Sequence, residues 1–350
     1  MNSSQDVERN IEFEFVRATE NAALNSIHWL GRGNKEAADE AACDAINGVF
    51  DLVDMRGEVV IGEGIKDNAP GIFLGDRLGR WSEGAPRFDI ALDPIDGTSN
   101  ISKGLPNSIS VMAAAHVPNG NTHGMVNIPS FYSEKLAYGP GVKEAIMATR
   151  IPPLSLNMNF AEVMTYAAAA LKKRISDLVV VMLDRPRNQK FLEIVRQQNA
   201  ALRLISDGDI AAAVAPSLPD SGVDLYIGIG GAPEGILTAA ALKALGGELH
   251  LRMWPRDEAE RTELLQTVSA EDLDRHYSTN DLVLGESAIF CATGISDSPL
   301  LPGVKLVGNT AITHSILMRA RSQTVRYIRA VHNLSSKTIH LRSIRREAAV

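Results

Sequence analysis

The segment Asp89-Ile90-Ala91-Leu92-Asp93-Pro94-Ile95-Asp96-Gly97-Thr98 is the tightest constraint in this sequence: an apolar strand that stops in two acids and is followed by a hydroxyl. The Ile/Leu run asks for burial in a sheet. The proline and glycine then force an open turn, so the Asp93 and Asp96 carboxylates can converge on one side of it. Such oxygen ligands suit hard cations such as Mg²⁺ and Mn²⁺, and the Thr98 hydroxyl can touch a metal-bound water. The same residues also read as an Asp/Gly turn capping the next element.

Further segments present acids in comparable places. Glu58-Val59-Val60-Ile61-Gly62-Glu63-Gly64 is a second apolar strand, ending in a carboxylate between two glycines that leave room for a ligand or an ion, with Asp67 shortly after. Gly31-Arg32-Gly33-Asn34-Lys35-Glu36-Ala37-Ala38-Asp39 leads into an alanine-rich helical stretch that puts Lys35 and Asp39 on one face, an arrangement an ordinary solvated ion pair would also give. In Gly228-Ile229-Gly230-Gly231-Ala232-Pro233-Glu234-Gly235 an apolar strand hands over to a helix beside another acid.

The rest of the chain bounds what such a site belongs to. Its 350 residues, 45% hydrophobic, can bury a substantial α/β core. A formal charge of −7 gives no reason to expect a nucleic-acid partner, and Arg342, Arg345 and Arg346 read as a solvated tail. The two cysteines, Cys43 and Cys291, support neither a disulfide framework nor a zinc cluster and point to a reducing compartment. No apolar run reaches the ~18 residues of a membrane span, and residues 1–10 lack the order of a signal peptide. The expectation is a soluble, cytoplasmic protein.

Periodicity predicts helices over 7–30 and 36–53, strands at 59 and 90, a strand over 109–116 and an edge hairpin through 124–136. Strand-then-helix units follow: strands over 178–183, 202–205 and 223–229, each leading to a helix, the last over 236–245. Residues 253–279 read as a charged helical excursion, with strands returning over 282–293 and 324–331.

The second half carries anion-binding chemistry. Leu178-Val179-Val180-Val181-Met182-Leu183-Asp184-Arg185-Pro186-Arg187 is a buried strand ending in two arginines, whose forked donors at a helix start suit a phosphate or pair with nearby acids. Ile205-Ser206-Asp207-Gly208-Asp209 ends another strand in acids able to ligate metal, bond sugar hydroxyls or cap a helix. Tyr132 can donate a phenolic hydrogen bond to an anion, or serve as core or rim.

Taken together, Gly31-Arg32-Gly33-Asn34-Lys35 with Ala38-Asp39, Ile61-Gly62-Glu63-Gly64, Asp93-Pro94-Ile95-Asp96-Gly97-Thr98, Asp184-Arg185-Pro186-Arg187, Ser206-Asp207-Gly208-Asp209 and Gly230-Gly231-Ala232-Pro233-Glu234-Gly235 resemble the class II fructose-1,6-bisphosphatases, in family order over about residues 11–332. The resemblance implies a layered α-β-α-β-α sugar-phosphatase fold of the α/β class. Residues 1–332 would form a single catalytic unit, with subdomains of about 1–150 (metal site) and 151–332 (substrate phosphate side), and a tail over 333–350. It further implies Mn²⁺- or Mg²⁺-dependent release of the 1-phosphate of fructose-1,6-bisphosphate, in gluconeogenesis or the Calvin cycle, by a homo-oligomer, dimer or tetramer. Some relatives also act on sedoheptulose-1,7-bisphosphate.

Position by position, the resemblance implies metal ligation by Asp39, Glu63, Asp93, Asp96 and Glu234, and substrate contacts from Asp96, Gly97, Thr98, Tyr132, Arg185, Pro186, Arg187, Asp207, Gly208, Asp209 and Gly231. Thr98, Asp67 and Lys35 would serve catalysis. Two positions depart from the family: Asp96 stands where a glutamate is usual, and Ile65 stands where a second glutamate is usual. An inositol-phosphate phosphatase would keep the metal acids without needing the Arg185/Arg187 pair, and a non-catalytic sugar-phosphate sensor would be expected to lose ligands. An oxidoreductase reading fails because Pro233 occupies the last glycine of G-x-G-x-x-G.

Overall fold

The computed structural model describes residues 6–62, 71–118 and 121–343. In chain order it has helices α1 (Val7–Ser26) and α2 (Lys35–Phe50), strands β1 (Arg56–Ile61), β2 (Arg77–Leu78) and β3 (Arg87–Asp96), helix α3 (Thr98–Lys103) and strand β4 (Ile109–His116). Next come β5 (Tyr132–Tyr138), α4 (Pro140–Met147), α5 (Phe160–Leu171), β6 (Val179–Leu183), α6 (Gln189–Gln197), β7 (Ala201–Ile205), α7 (Asp209–Val214), β8 (Leu225–Gly231), α8 (Ala232–Leu245), β9 (Glu248–Met253) and β10 (Tyr277–Ser278). The chain then runs through β11 (Ile289–Gly294), β12 (Lys305–Val307), β13 (Thr310–Arg319) and β14 (Thr324–Asn333). This is an α/β fold with mixed sheets.

It divides into two compact units, one made of residues 1–125 and 284–350, the other of 126–283. The first holds an eight-stranded sheet in the order β12-β13-β11-β4-β3-β1-β2, with β14 paired to β13. Helices α1 and α2 bury Phe15, Ala22, Ile46 and Phe50 against Val59, Ile90, Met112 and Cys291. Asn34 starts α2 by accepting from the Ala37 amide at 3.0 Å, a capping bond worth about 1 kcal/mol. Arg342 is docked rather than solvated, and Arg345 and Arg346 lie outside the described residues. Arg342 pairs with Asp51 at 2.6 Å, Ser343 bonds Asp44, and a Cβ on Gly48 would stand 1.8 Å from the His340 carbonyl oxygen. Only a glycine lets this segment cross α2 so closely.

The second unit holds a six-stranded sheet in the order β10-β9-β5-β8-β6-β7, with Leu136, Val163, Val180, Val195 and Ile227 in its core. The edge hairpin predicted through 124–136 does not form. Strand β4 pairs with β3 and β11, and β5 lies between β8 and β9 in the other sheet. Alternation announces a strand but does not name its partner. The strand predicted over 282–293 is also shorter. Residues 279–282 form a helical turn opened by a reciprocal Ser278–Asp281 cap, and β11 begins at Ile289.

Glu248 gives this unit a pH dependence. Burial works to raise its carboxyl, but the Lys143 ammonium at 2.8 Å and the Thr279 amide at 2.8 Å outweigh burial, so it lies below the usual carboxylate range. The folded state therefore binds fewer protons here than the unfolded chain, and the stabilisation present at neutral pH is lost as the pH falls through that range. Denaturant melts at neutral pH and near pH 4 should show Glu248→Gln costing about 1–3 kcal/mol at the higher pH and less at the lower. An equal cost at both would show that the charge is not what holds the contact.

Candidate active site

In the first unit, Asp93 and Asp96 stand at the end of β3, as the apolar run ending in Asp-Pro requires. Asp93 Oδ1 accepts from the Ile95 amide at 3.0 Å, a local turn bond that orients the carboxylate. The register with β4 shifts between Asp93 and Asp96, which re-aims the strand end. Asp96 is buried, and Gly97 follows in the left-handed region at φ 94°, where a Cβ would meet the Asn107 carbonyl oxygen at 2.4 Å. The chain thereby turns directly into α3, whose first residue is Thr98. Helix α2 packs on both β3 and α3, and its first two turns carry Lys35, exposed, and Asp39, half-buried. Glu63 and Asp67 lie outside the described residues.

In the second unit the expected residues gather at the end of β8 and its neighbours. Tyr132, the first residue of β5, pairs with Gly231, the last of β8. The Arg187 guanidinium lies over the Tyr132 ring, 4.2 Å from its centroid, and its Nε donates to the Ile229 carbonyl at 2.9 Å. Among the described residues no hydrogen bond engages the two terminal nitrogens of the fork, which can serve a ligand. Arg185 and Pro186 precede it, the proline opening a helical turn that runs into α6. Asp207 and Gly208 lead into α7, where Asp209 is the first residue, and Gly208 takes φ 81°. Trp254 stacks edge-on to Tyr132, with 6.3 Å between centroids, and extends the aromatic wall.

Glu234 opens α8 just past the double glycine, where the helix dipole favours an anion. Its Oε2 is shielded from solvent and has no hydrogen-bond partner among the described residues. Burial first, and then the neighbouring Asp209, push its carboxyl up, while Lys135 opposes them. A buried carboxylate oxygen of this kind calls for a cation, and an all-carboxylate donor set suits a hard one. Among the described residues no three acidic, histidine or cysteine side chains form a metal cluster by themselves.

A Cβ on Gly231 would stand 2.0 Å from Glu234 Oε2. Since Gly231 has φ −61° and ψ 139°, Gly231→Ala strains no backbone and acts by driving the carboxylate aside. The expected result is a small change in thermal midpoint with roughly 10²-fold loss of turnover. Unchanged turnover would remove Glu234 from the chemistry.

Sequence reasoning passed over Lys135. It is fully buried and its Nζ lies 2.5 Å from Asp209 Oδ2 and 2.9 Å from the Gly231 carbonyl oxygen. Tyr226, also buried, donates to the same Asp209 oxygen at 3.2 Å. Nothing local marks it: Ser133-Glu134-Lys135 reads as a polar stretch, and only the structure shows the strand to be buried.

Residues 9–332 match the family described as bacterial fructose-1,6-bisphosphatase, glpX-encoded. The chain belongs to this family. It is 39% identical over 337 residues to the fructose-1,6-bisphosphatase class 2 of Haemophilus influenzae, covering 93% of this chain and 97% of that protein. It is 36% identical over 340 residues to fructose-1,6-bisphosphatase 1 class 2 of Escherichia coli K12, covering 94% and 97%. The resemblance carried by the six motifs therefore holds at the level of the whole chain.

Proposed function

We propose that this chain hydrolyses the 1-phosphate of fructose-1,6-bisphosphate, with Mg²⁺ or Mn²⁺ as cofactor and fructose-6-phosphate and phosphate as products. Family membership supports the activity. The observation that supports a two-ended substrate is the Arg187 guanidinium held over the Tyr132 ring, beside the junction of β8 and α8 from Gly231 to Glu234. On this reading Asp39, Glu63, Asp93, Asp96 and Glu234 would hold the cations, whose positive charge would supply phosphate neutralisation and water activation. Thr98, at the start of α3, would orient the attacking water through its hydroxyl. A threonine has no useful basicity, so a carboxylate must take the proton, the part assigned to Asp67, while Lys35 contributes positive charge. Arg185, Arg187 and Tyr132 hold the phosphate that stays, and Pro186, Asp207, Gly208, Asp209 and Gly231 shape the sugar pocket.

Residues 1–332 then act as a single catalytic unit, and the reading extends to a cytoplasmic homo-oligomer. Among the described residues no helix is long and apolar enough to cross a membrane. Phosphate release should be measured on fructose-1,6-bisphosphate, sedoheptulose-1,7-bisphosphate and inositol-1-phosphate, with each metal and in chelator. Turnover of the hexose bisphosphate that stops in chelator is the expected result. Preference for inositol-1-phosphate, or full turnover in chelator, would overturn the proposal.

A further inference from the structure

A lysine with no exposed surface sits where the start of α7 meets the junction of β8 and α8, and the site described above assigns it no task. Lys135 rises from β5 beneath Gly230-Gly231, the last two residues of β8. A Cβ on Gly230 would stand 3.1 Å from its Nζ and 2.0 Å from Asp209 Oδ2, so glycine is what allows the end of β8 to lie on the ion pair. One ammonium thus binds the carboxylate that starts α7 and the carbonyl that precedes α8. Tyr226 steadies the same carboxylate oxygen from the sheet below. A buried charge survives only with a partner, so Lys135 and Asp209 depend on each other. An ammonium is compact and its donors point in three directions, which lets it serve two acceptors on different segments where a planar guanidinium would need more room.

We propose that Lys135 is the positioning residue of the substrate pocket: it fixes the spacing between the segment 206–209, which leads into α7, and the segment 230–234, where β8 hands over to α8, without touching substrate itself. The inference rests on the proposed function for what those segments contact. Asp209 is then held as an anchor through Oδ2, and the neighbouring Asp207, Gly208 and Gly231 are placed by it. Losing the ammonium loosens both segments at once. The KM for the bisphosphate should rise, since the segments hold the part of the substrate that does not react.

The test compares wild type, Lys135→Met, Asp209→Asn and the double variant. With fructose-1,6-bisphosphate, Lys135→Met should lower kcat/KM by roughly 10²-fold, mostly through KM, well below its thermal midpoint. The double variant should be no worse than Lys135→Met and should melt higher, because asparagine needs no buried cation. Losses in kcat/KM and in midpoint that simply accumulate would overturn the proposal. So would a lowered midpoint with KM unchanged, the mark of a lysine that only supports the fold. If Lys135→Met does not fold while the double variant does, the pairing stands, and the double variant is compared with Asp209→Asn for KM.

Amide hydrogen exchange gives a readout independent of substrate. Faster exchange confined to 206–209 and 230–234 is the expected result, and unchanged exchange in either segment would overturn the inference. Wild type inactive on the bisphosphate would instead overturn the proposed function, while the exchange and melting comparisons would still decide the role of Lys135.

Discussion

Asp93→Asn is expected to reduce phosphate release by roughly 10²- to 10³-fold or more, the loss seen when a group stabilising transition-state charge is removed. The substitution isolates charge from shape. Asp93 Oδ1 accepts the Ile95 amide, and an asparagine oxygen can accept the same bond, so the turn at the end of β3 survives. Phosphate release measured over a titration of Mg²⁺ and of Mn²⁺, beside thermal melts of both proteins, checks the point. Matching melts with turnover lost at every metal concentration place Asp93 in the metal chemistry. Matching turnover would remove it.

The second large effect concerns the end of the substrate that the proposed function assigns to Arg187. Arg187→Ala removes a guanidinium whose orientation is set by the Tyr132 ring and the Ile229 carbonyl. A charged hydrogen bond is worth about 1.5–3 kcal/mol, or roughly ten- to a hundredfold in kcat/KM. On the proposed reading the phosphate held there does not react, so the interaction would be present in the ground and transition states alike, and KM should rise more than kcat falls. Arg187→Lys should recover only part of the loss, since an ammonium keeps the charge but neither stacks nor forks. Steady-state kinetics on the bisphosphate and on a sugar monophosphate decide it. An equal loss on both would show that Arg187 supports the fold or the metal end.

Much of this was open to a reader of the sequence alone. The ends of β3 and β8 announce themselves because an apolar strand stops in glycine, proline and acid, and the structure puts Asp93 and Glu234 at those ends. Arg185-Pro186-Arg187 reads as a helix start for the same local reason. Lys135 does not, because its partners are 74 and 96 residues away and periodicity assigns a strand lysine to solvent. Nor does the docking of Arg342, whose partner Asp51 is 291 residues away. The hairpin over 124–136 failed because residues 132–138 are buried almost throughout between β8 and β9, so alternation carried no information about which strands they join.

The two units are not laid end to end along the chain, and this bears on the order in which they can be made. Residues 126–283 are continuous, so the ribosome delivers everything the six-stranded sheet needs in one stretch. The eight-stranded sheet has to wait. Phe290 pairs with Ala113, so the neighbour that β4 requires emerges only after the whole intervening unit has been synthesised. Helix α2, which bears Lys35 and Asp39, waits longer still for residues 340–343. Contacts this distant in sequence form slowly, and an unpaired β4 edge invites wrong partners meanwhile. During synthesis the continuous unit should therefore resist proteolysis first, with protection of β3, β4 and α2 arriving only once the strands after residue 284 are out.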